Sequence, residues 1–204
     1  MEITVDELFW NKWGIHGIKH ALRSMVLAHE ISKAIDLNTI DTKVSSLAAL
    51  YHDTGRTNDA LDYSHGRKTV EKLRAYGLDK RILACFNSED DLLLFNKIIA
   101  AHSLPDAKQA DFKAEIPDHL EERFARLYSV LKDADGLDRL RINDLDPSYL
   151  RNEASVELID FAKYLLETPS HLEPYINNLK NKFPDIFTVS PKLWEYIDEI
   201  NLLE

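Results

Sequence analysis

Side chains that could bind a metal ion or a phosphate group occur at widely separated positions of the sequence. They are His20, Arg23, His52, Asp53, His65, Arg67, His102 and Asp135. Imidazole nitrogens and carboxylate oxygens together suit divalent first-row metals, and a guanidinium group pairs well with phosphate. This set predicts a divalent metal cofactor, but it does not select among Mn, Mg, Fe, Co, Ni and Zn. Only a folded chain can bring groups so far apart in sequence together.

His52 and Asp53 follow directly after a predicted buried helix. Apolar residues of segment 44–51 recur at helical spacing, so the pair lies at the end of this helix. Gly55 is predicted to end the helix in a left-handed backbone conformation. About one His-Asp pair is expected by chance in a chain of 204 residues with 8 histidines. The pair therefore gains meaning only from what the rest of the chain supplies.

Other candidates lie on or near further predicted helices. His20 and Arg23 share one face of a long apolar helix that is predicted over residues 15–35. His65 and Arg67 follow a polar loop and lie near the start of another helix, where the positive helix end favours an anion. A capped surface turn explains the same two residues equally well.

Asp135 continues an apolar stripe that runs over residues 120–131 at helical spacing. Burying an unpaired carboxylate is costly, so Asp135 needs a metal ion, an arginine or several donors. A structural ion pair with Arg139 or Arg141 is the alternative. Asp133 competes with Asp135 as a ligand, although its helical phase is poorer. His102 ends another apolar helix, at the point where a proline-containing segment stops it.

The composition indicates an all-α protein. Glycine is scarce at 6 residues, and the turn sequences that join β-strands are nearly absent. The formal net charge of −10 disfavours nucleic acid as a partner, because phosphates would be repelled. A lone cysteine, Cys85, excludes an intrachain disulfide and suits a reducing compartment. With neither a signal-like N-terminus nor a long apolar run, we expect a cytoplasmic protein without a membrane span.

We expect a single domain over residues 1–204, with the candidate residues inside a core of about 14–140. A C-terminal extension over 147–204 is predicted to add helices near residues 150–166, 172–183 and 193–202. Trp194 and Tyr196 are expected to pack in the interior or to form a contact between copies of the chain, which leaves a homo-oligomer open.

Three segments resemble the HD-domain superfamily of metal-dependent phosphohydrolases, an all-helical fold named for an H…HD…D ligand set. They are residues 14–23 (GIHGIKHALR), 47–55 (LAALYHDTG) and 131–138 (LKDADGLD). The resemblance implies an HD-type helical bundle with additional C-terminal helices. It also implies that the metal ligands are His20, His52, Asp53 and Asp135.

The same resemblance implies hydrolysis of a phosphate ester of a nucleotide or of another small metabolite. Asp53 would help to orient a metal-activated water, and His65 would act as a general acid or contact the phosphate. In several HD enzymes further histidines bind a second metal, and His65 and His102 are the candidates for that role. Arg23, Arg67 and His102 are the candidates for phosphate binding. Two other functions fit the residues: a non-catalytic nucleotide sensor and a di-iron HD-type oxygenase.

Overall fold

The structure is a computed structural model that describes residues 4–105, 108, 112 and 115–189. Within these residues every regular element is helical, so the all-α prediction is confirmed. The α-helices of the described residues are α1 (Val5–Leu8), α2 (Ile18–Ala34), α3 (Thr39–Tyr51), α4 (His65–Ala75), α5 (Leu78–Leu83), α6 (Glu89–His102), α7 (Glu121–Asp138), α8 (Glu153–Glu157), α9 (Ile159–Glu167), α10 (Glu173–Lys182) and α11 (Pro184–Val189). None of these helices is both long enough and apolar enough to cross a bilayer.

Helices α2, α3, α6 and α7 pack against one another and form the centre of the fold. The C-terminal part of α3 is buried without interruption from Val44 to Tyr51. α2 is buried on most of its faces, including the faces that carry His20 and Arg23. A polar side chain on such a helix must find its partners inside the protein, because water cannot reach it. These four helices therefore bring several candidate residues into a largely dry interior.

Helix α2 begins later than predicted. Gly17 is its N-terminal cap, and the amide of Gly17 donates to the carbonyl of Gly14 at 2.9 Å. This bond belongs to a turn, and the first helical residue is Ile18. His16 consequently lies in the turn ahead of α2. From this position its Nδ1 atom lies 2.6 Å from Asp53 Oδ2, just after the end of α3.

Gly55 does not have the left-handed conformation predicted for it. Among the described residues the glycine with a positive φ is Gly77. Gly55 is required for another reason: a Cβ atom there would lie 2.2 Å from the backbone nitrogen of Thr69 on α4. The Gly55 amide donates to Thr69 Oγ1 at 2.8 Å, and Thr69 Oγ1 donates to the carbonyl of His52 at 2.7 Å. The missing side chain thus allows α4 to pack directly on the turn that follows α3.

The C-terminal helices cover the outside of this core. The helix predicted over residues 150–166 is divided at Leu158, where α8 ends and α9 begins. α8, α9 and α10 each pack on α2. The helix predicted over residues 193–202, with Trp194 and Tyr196, lies outside the described residues.

Candidate metal centre

Four buried imidazole rings and two carboxylates meet where α2, α3, α4, α6 and α7 converge. The residues are His20 on α2, His52 and Asp53 at the end of α3, His65 at the start of α4, His102 at the end of α6, and Asp135 on α7. The rings and Asp53 are buried, whereas the side chain of Asp135 is 27% exposed. The structure therefore gathers all four ligands implied by the sequence resemblance, together with the two additional histidines.

His20 and His52 form the first nitrogen pair, with their Nε2 atoms 3.0 Å apart. Asp53 Oδ2 lies 3.4 Å from Nε2 of His20 and 3.7 Å from Nε2 of His52. Asp135 Oδ1 lies 3.6 Å and 3.7 Å from the same two nitrogens. Two imidazole nitrogens and two carboxylate oxygens thus surround one point.

His65 and His102 form the second nitrogen pair, with their Nε2 atoms 2.8 Å apart. Asp53 Oδ1 lies 3.0 Å from Nε2 of His65 and 3.6 Å from Nε2 of His102. The rings of His52 and His102 are in edge contact, with centroids 4.9 Å apart, so the two pairs are neighbours. Asp53 directs one oxygen toward each pair, and its carboxylate can therefore bridge two ions.

In each of these four histidines the other ring nitrogen, Nδ1, is hydrogen-bonded to an oxygen acceptor. The bonds run from Nδ1 of His20 to Asp138 Oδ2 at 2.7 Å, of His52 to Ala49 O at 2.7 Å, of His65 to Asp62 O at 2.5 Å, and of His102 to Ile99 O at 2.6 Å. An oxygen acceptor of this kind assigns the proton to Nδ1. In the neutral ring, Nε2 then presents a lone pair toward the centre.

The distances within the two pairs fit cations. Two lone pairs repel at 2.8–3.0 Å unless a positive charge lies beside them. An ion with bonds of about 2.1 Å at right angles keeps neighbouring ligand atoms about 3.0 Å apart. Asp53 Oδ1 is buried beside the second pair and faces Arg56 Nε at 2.9 Å and His65 Nε2 at 3.0 Å, so this oxygen also lies where positive charge is favoured. The donor set therefore fits divalent metal ions at two adjacent positions.

The electrostatics of the centre favour positive charge. Burial opposes charge on His52, yet the carboxylates of Asp53 and Asp135 raise the pKa of this ring. Burial likewise opposes ionisation of Asp53, but His52 and other nearby imidazoles hold its pKa well below the usual range. Burial lowers the pKa of His102 to about 4, so its Nε2 lone pair is available at neutral pH. A proton on His52 and a metal ion therefore compete for one place, and metal binding releases the proton.

Arg23 is placed differently from its predicted phosphate-binding role. Its Nε and Nη2 donate to Asp138 at 2.5 Å and 3.1 Å, and the side chain is buried. Asp138 in turn accepts the Nδ1 proton of His20 at 2.7 Å. Burial opposes the charge of Asp138, and Arg23 offsets this effect and lowers its pKa. Arg23 thus keeps Asp138 ionised, and Asp138 orients His20 toward the centre.

Asp138→Asn is expected to weaken metal binding at the first nitrogen pair by about 10–100-fold, since outer-shell partners of metal-bound histidines typically contribute that much. The amide removes the charge that faces Arg23, and it offers one acceptor oxygen in place of two, so that Arg23 and the Nδ1 proton of His20 compete for it. Competition with a chelator would measure the affinity. Asp160→Asn is the matched control, because Asp160 pairs with Lys163 on the surface. Equal affinity in both variants would contradict the positioning role of Asp138.

The structure separates the two aspartates that competed for the ligand position. Both oxygens of Asp133 are directed away from the centre, and this side chain is fully buried. It accepts from the backbone amides of Arg151 and Asn152 at 2.8 Å and 2.9 Å, and from Ser155 Oγ at 2.8 Å. Asp133 therefore fixes the segment that leads into α8. Asp135 is the aspartate of this helix that faces the histidines.

Two residues outside the predicted set also contact the centre. His16 Nδ1 lies 2.6 Å from Asp53 Oδ2, and Arg56 Nε lies 2.9 Å from Asp53 Oδ1. Burial lowers the pKa of His16, although Asp53 acts in the opposite direction. The sequence contains one signal for Arg56, which is its position three residues after Asp53. The signal for His16 is its position four residues before His20, which predicts that the two side chains share a surface, and their rings are in edge contact.

Arg67 lies away from the centre. Its side chain is exposed and lines a cavity between α4 and α6 whose described lining contains none of the candidate ligands. A different cavity opens beside Asp135. Its lining includes Lys132, a basic residue three positions before Asp135 on α7. Lys132 Nζ donates to the carbonyl of His102 at 2.8 Å. Among the predicted phosphate contacts, Arg67 is therefore not brought to the candidate site, and Lys132, which sequence reasoning missed, stands nearer to it.

Gly66→Ala is expected to separate His65 from His102. A Cβ atom at Gly66 would lie 2.3 Å from the carbonyl oxygen of Ile99, so α4 would have to move away from α6. We expect a loss of stability of about 1–3 kcal/mol and the loss of metal from the second pair. Chemical denaturation and metal analysis would measure the two effects.

The same substitution at Gly136 provides the control for this experiment. There a Cβ atom meets only Leu150 Cδ2, at an ordinary contact distance of 3.5 Å. Gly136→Ala should therefore keep the metal content of the wild-type protein. If Gly66→Ala also kept it, the close packing of α4 on α6 would not be what holds the second pair together.

Comparison with known proteins gives one match to a family. The model of the HD domain matches residues 17–140, which is more than half of the 204-residue chain and includes the six residues of the centre. Neither the curated proteins nor the solved structures include a significant match. The chain therefore belongs to the HD domain family, which is of the metal-dependent hydrolase type.

Proposed function

We propose that the protein is a metal-dependent phosphohydrolase that cleaves a phosphate ester of a nucleotide or of another small metabolite. The observation that carries the proposal is that Asp53 lies between two histidine pairs, His20 with His52 and His65 with His102. When bound, divalent ions in such a centre supply a water nucleophile near neutral pH and stabilise negative charge on phosphoryl oxygens. In the reaction, a water oxygen bonds to phosphorus, the ester P–O bond breaks, and the alcohol leaves with a proton from water.

Charge balance favours a phosphate as the bound group. Four neutral imidazoles and the carboxylates of Asp53 and Asp135 contribute two negative charges to the centre. Two divalent ions would leave an excess of two positive charges, which a phosphate dianion offsets. Lys132 adds a further positive charge on the side of the cavity. A neutral substrate would leave this charge without a partner in a largely buried site.

The contacts favour roles for several residues that differ from those the sequence suggested. Both ring nitrogens of His65 are engaged, Nδ1 with a carbonyl and Nε2 within the second pair. We therefore assign His65 and His102 to metal binding rather than to acid catalysis or phosphate binding. Asp53 has its oxygens directed at the two pairs, so its main role is to bridge them. Lys132 takes the phosphate-binding role that Arg23 and Arg67 were predicted to share.

Metal loading and a substrate screen would test the proposal. The protein would be loaded separately with Mn, Mg, Fe, Co, Ni and Zn, analysed for bound metal, and assayed with phosphomonoesters, dinucleotides and nucleoside triphosphates. We expect phosphate-ester cleavage by the wild type and its loss in His52→Ala, together with a lower metal content. His119→Ala is the matched control, because this histidine is exposed and pairs only at the surface with Asp90. Intact substrates throughout, with unchanged metal in His52→Ala, would refute the proposal.

The second histidine pair, His65 and His102, also supports an alternative function. A centre with two adjacent ion positions and mixed nitrogen and oxygen donors also suits a di-iron oxygenase. That function would show itself as selective retention of iron and as oxygen uptake without phosphate release. A nucleotide sensor would instead show ligand-dependent thermal stabilisation without turnover.

A further inference from the structure

A cavity of about 540 Å³ opens beside Asp135. Its volume lies within the range of about 300–1,000 Å³ that is usual for small-molecule sites. One wall is a single face of α7, since Lys132, Asp135 and Gly136 are three and four residues apart and all line the cavity. A substrate whose phosphate is held at the metal centre can extend along this wall.

Gly136 lies within the last turn of α7, where glycine is a poor helix former. The backbone does not require glycine here, because positive φ among the described glycines is confined to Gly77. Packing does not require it either, since a Cβ atom would make only one ordinary contact, with Leu150 at 3.5 Å. The fold would accept a side chain at this position. What the glycine provides is open space in the wall of the cavity, beside a candidate metal ligand.

Two tyrosines line the same cavity with rings that the fold leaves exposed. Tyr63 is 51% exposed and Tyr149 is 70% exposed. The backbone of each is held in place: the Tyr63 carbonyl accepts from Ser103 Oγ at 2.9 Å, and the Tyr149 carbonyl accepts from Arg151 at 2.9 Å. Exposed rings on a fixed backbone can stack on a flat group of a ligand.

We propose that Gly136 is a specificity-determining residue, which leaves room for a substrate whose alcohol part contains a flat aromatic ring system, as in a nucleoside monophosphate. The phosphate lies toward Asp135 and Lys132. The ring system lies over Gly136, within reach of Tyr63 and Tyr149. A compact phosphate ester, such as glycerol phosphate, would leave the cavity and both rings unused. This inference rests on the proposed function.

Two esters of primary alcohols, adenosine 5′-monophosphate and glycerol 3-phosphate, would test the inference, because their intrinsic reactivities are similar. We expect the wild type to prefer the nucleotide. Gly136→Leu should lower the ratio of kcat/KM for nucleotide over glycerol phosphate by at least about 30-fold, and Tyr149→Ala by about 10-fold through KM. Tyr76→Ala is the control, since Tyr76 is 45% exposed and is not part of the cavity lining.

Equal kcat/KM values for the two esters in the wild type would overturn the inference and leave the proposed function standing. An equal loss for both esters in Gly136→Leu, with the ratio unchanged in Tyr149→Ala, would also overturn it. If neither ester is cleaved, calorimetric binding of the nucleotide to metal-loaded protein decides. Binding that Gly136→Leu and Tyr149→Ala abolish would support the inference, whereas absence of binding would overturn it. The full substrate screen and the metal content of His52→Ala decide separately on the hydrolase. Melting curves and metal analysis identify a variant that fails to fold.

Discussion

Asp53→Ala is expected to remove metal from both nitrogen pairs and to lower kcat/KM by at least about a thousand-fold, which corresponds to about 4 kcal/mol of transition-state stabilisation. The reason is the position of its carboxylate, with one oxygen beside each pair. Without the Asp53 carboxylate, the second pair offers only the two neutral imidazoles of His65 and His102. The first pair offers two imidazoles together with Asp135. Neither set compensates the charge of a divalent ion as well as the complete centre does.

Metal analysis after dialysis would measure this effect, together with turnover of the best substrate. Asp59→Ala is the matched control, because Asp59 lies in the same loop region and is exposed. His65→Ala should remove metal from the second pair only, and the contrast with Asp53→Ala identifies the bridge. Retention of one full equivalent of metal by Asp53→Ala would show that the two pairs bind independently of this carboxylate.

Asp133→Ala and Asp135→Ala are expected to have different effects, although the two residues are only two positions apart on the same helix. Asp133→Ala should reduce the free energy of unfolding by about 3–5 kcal/mol, because it leaves four donors of Arg151, Asn152 and Ser155, which are partly or fully buried, without an acceptor. Asp135→Ala should change the stability of metal-free protein by only about 1 kcal/mol. It should instead lower metal binding at the first pair and strongly reduce activity.

Chemical denaturation of the metal-free variants separates stability from metal binding. The prediction requires that Asp133→Ala, where folded, still binds metal at the centre, and that Asp135→Ala stays folded but is inactive. Its reversal, with metal lost in Asp133→Ala and stability lost in Asp135→Ala, would mean that the two side chains have been assigned to the wrong partners.

The helices that carry the centre could be predicted because their apolar residues follow the helical period. Segment 44–51 precedes His52 and lies in α3, and the stripe over 120–131 precedes Asp135 and lies in α7. A helix that packs on one face requires apolar residues at this period, so the local sequence is sufficient to predict it. The ends of helices were harder to predict, as the start of α2 and the break at Leu158 show, because turns and neighbouring helices decide them.

Glycine positions show the same limit. The place of Gly55 after a helix predicts a left-handed residue, which is common at that position. Its actual constraint is the backbone of α4, which approaches from fourteen residues further along the chain. Gly66 is constrained in the same way by the carbonyl of Ile99 on α6. A close approach between two helices leaves no pattern in the sequence around either glycine.

By itself the sequence determined the all-α class, the HD family segments and the residue types that can bind metal. Only the tertiary structure decided how these residues are used: that Asp135 rather than Asp133 faces the histidines, that Arg23 supports Asp138, and that Arg67 lies elsewhere. The physical reason is that spacing along a helix defines which residues share a face, whereas the partner of that face depends on how helices pack. A ligand set made of side chains from five helices is a property of that packing.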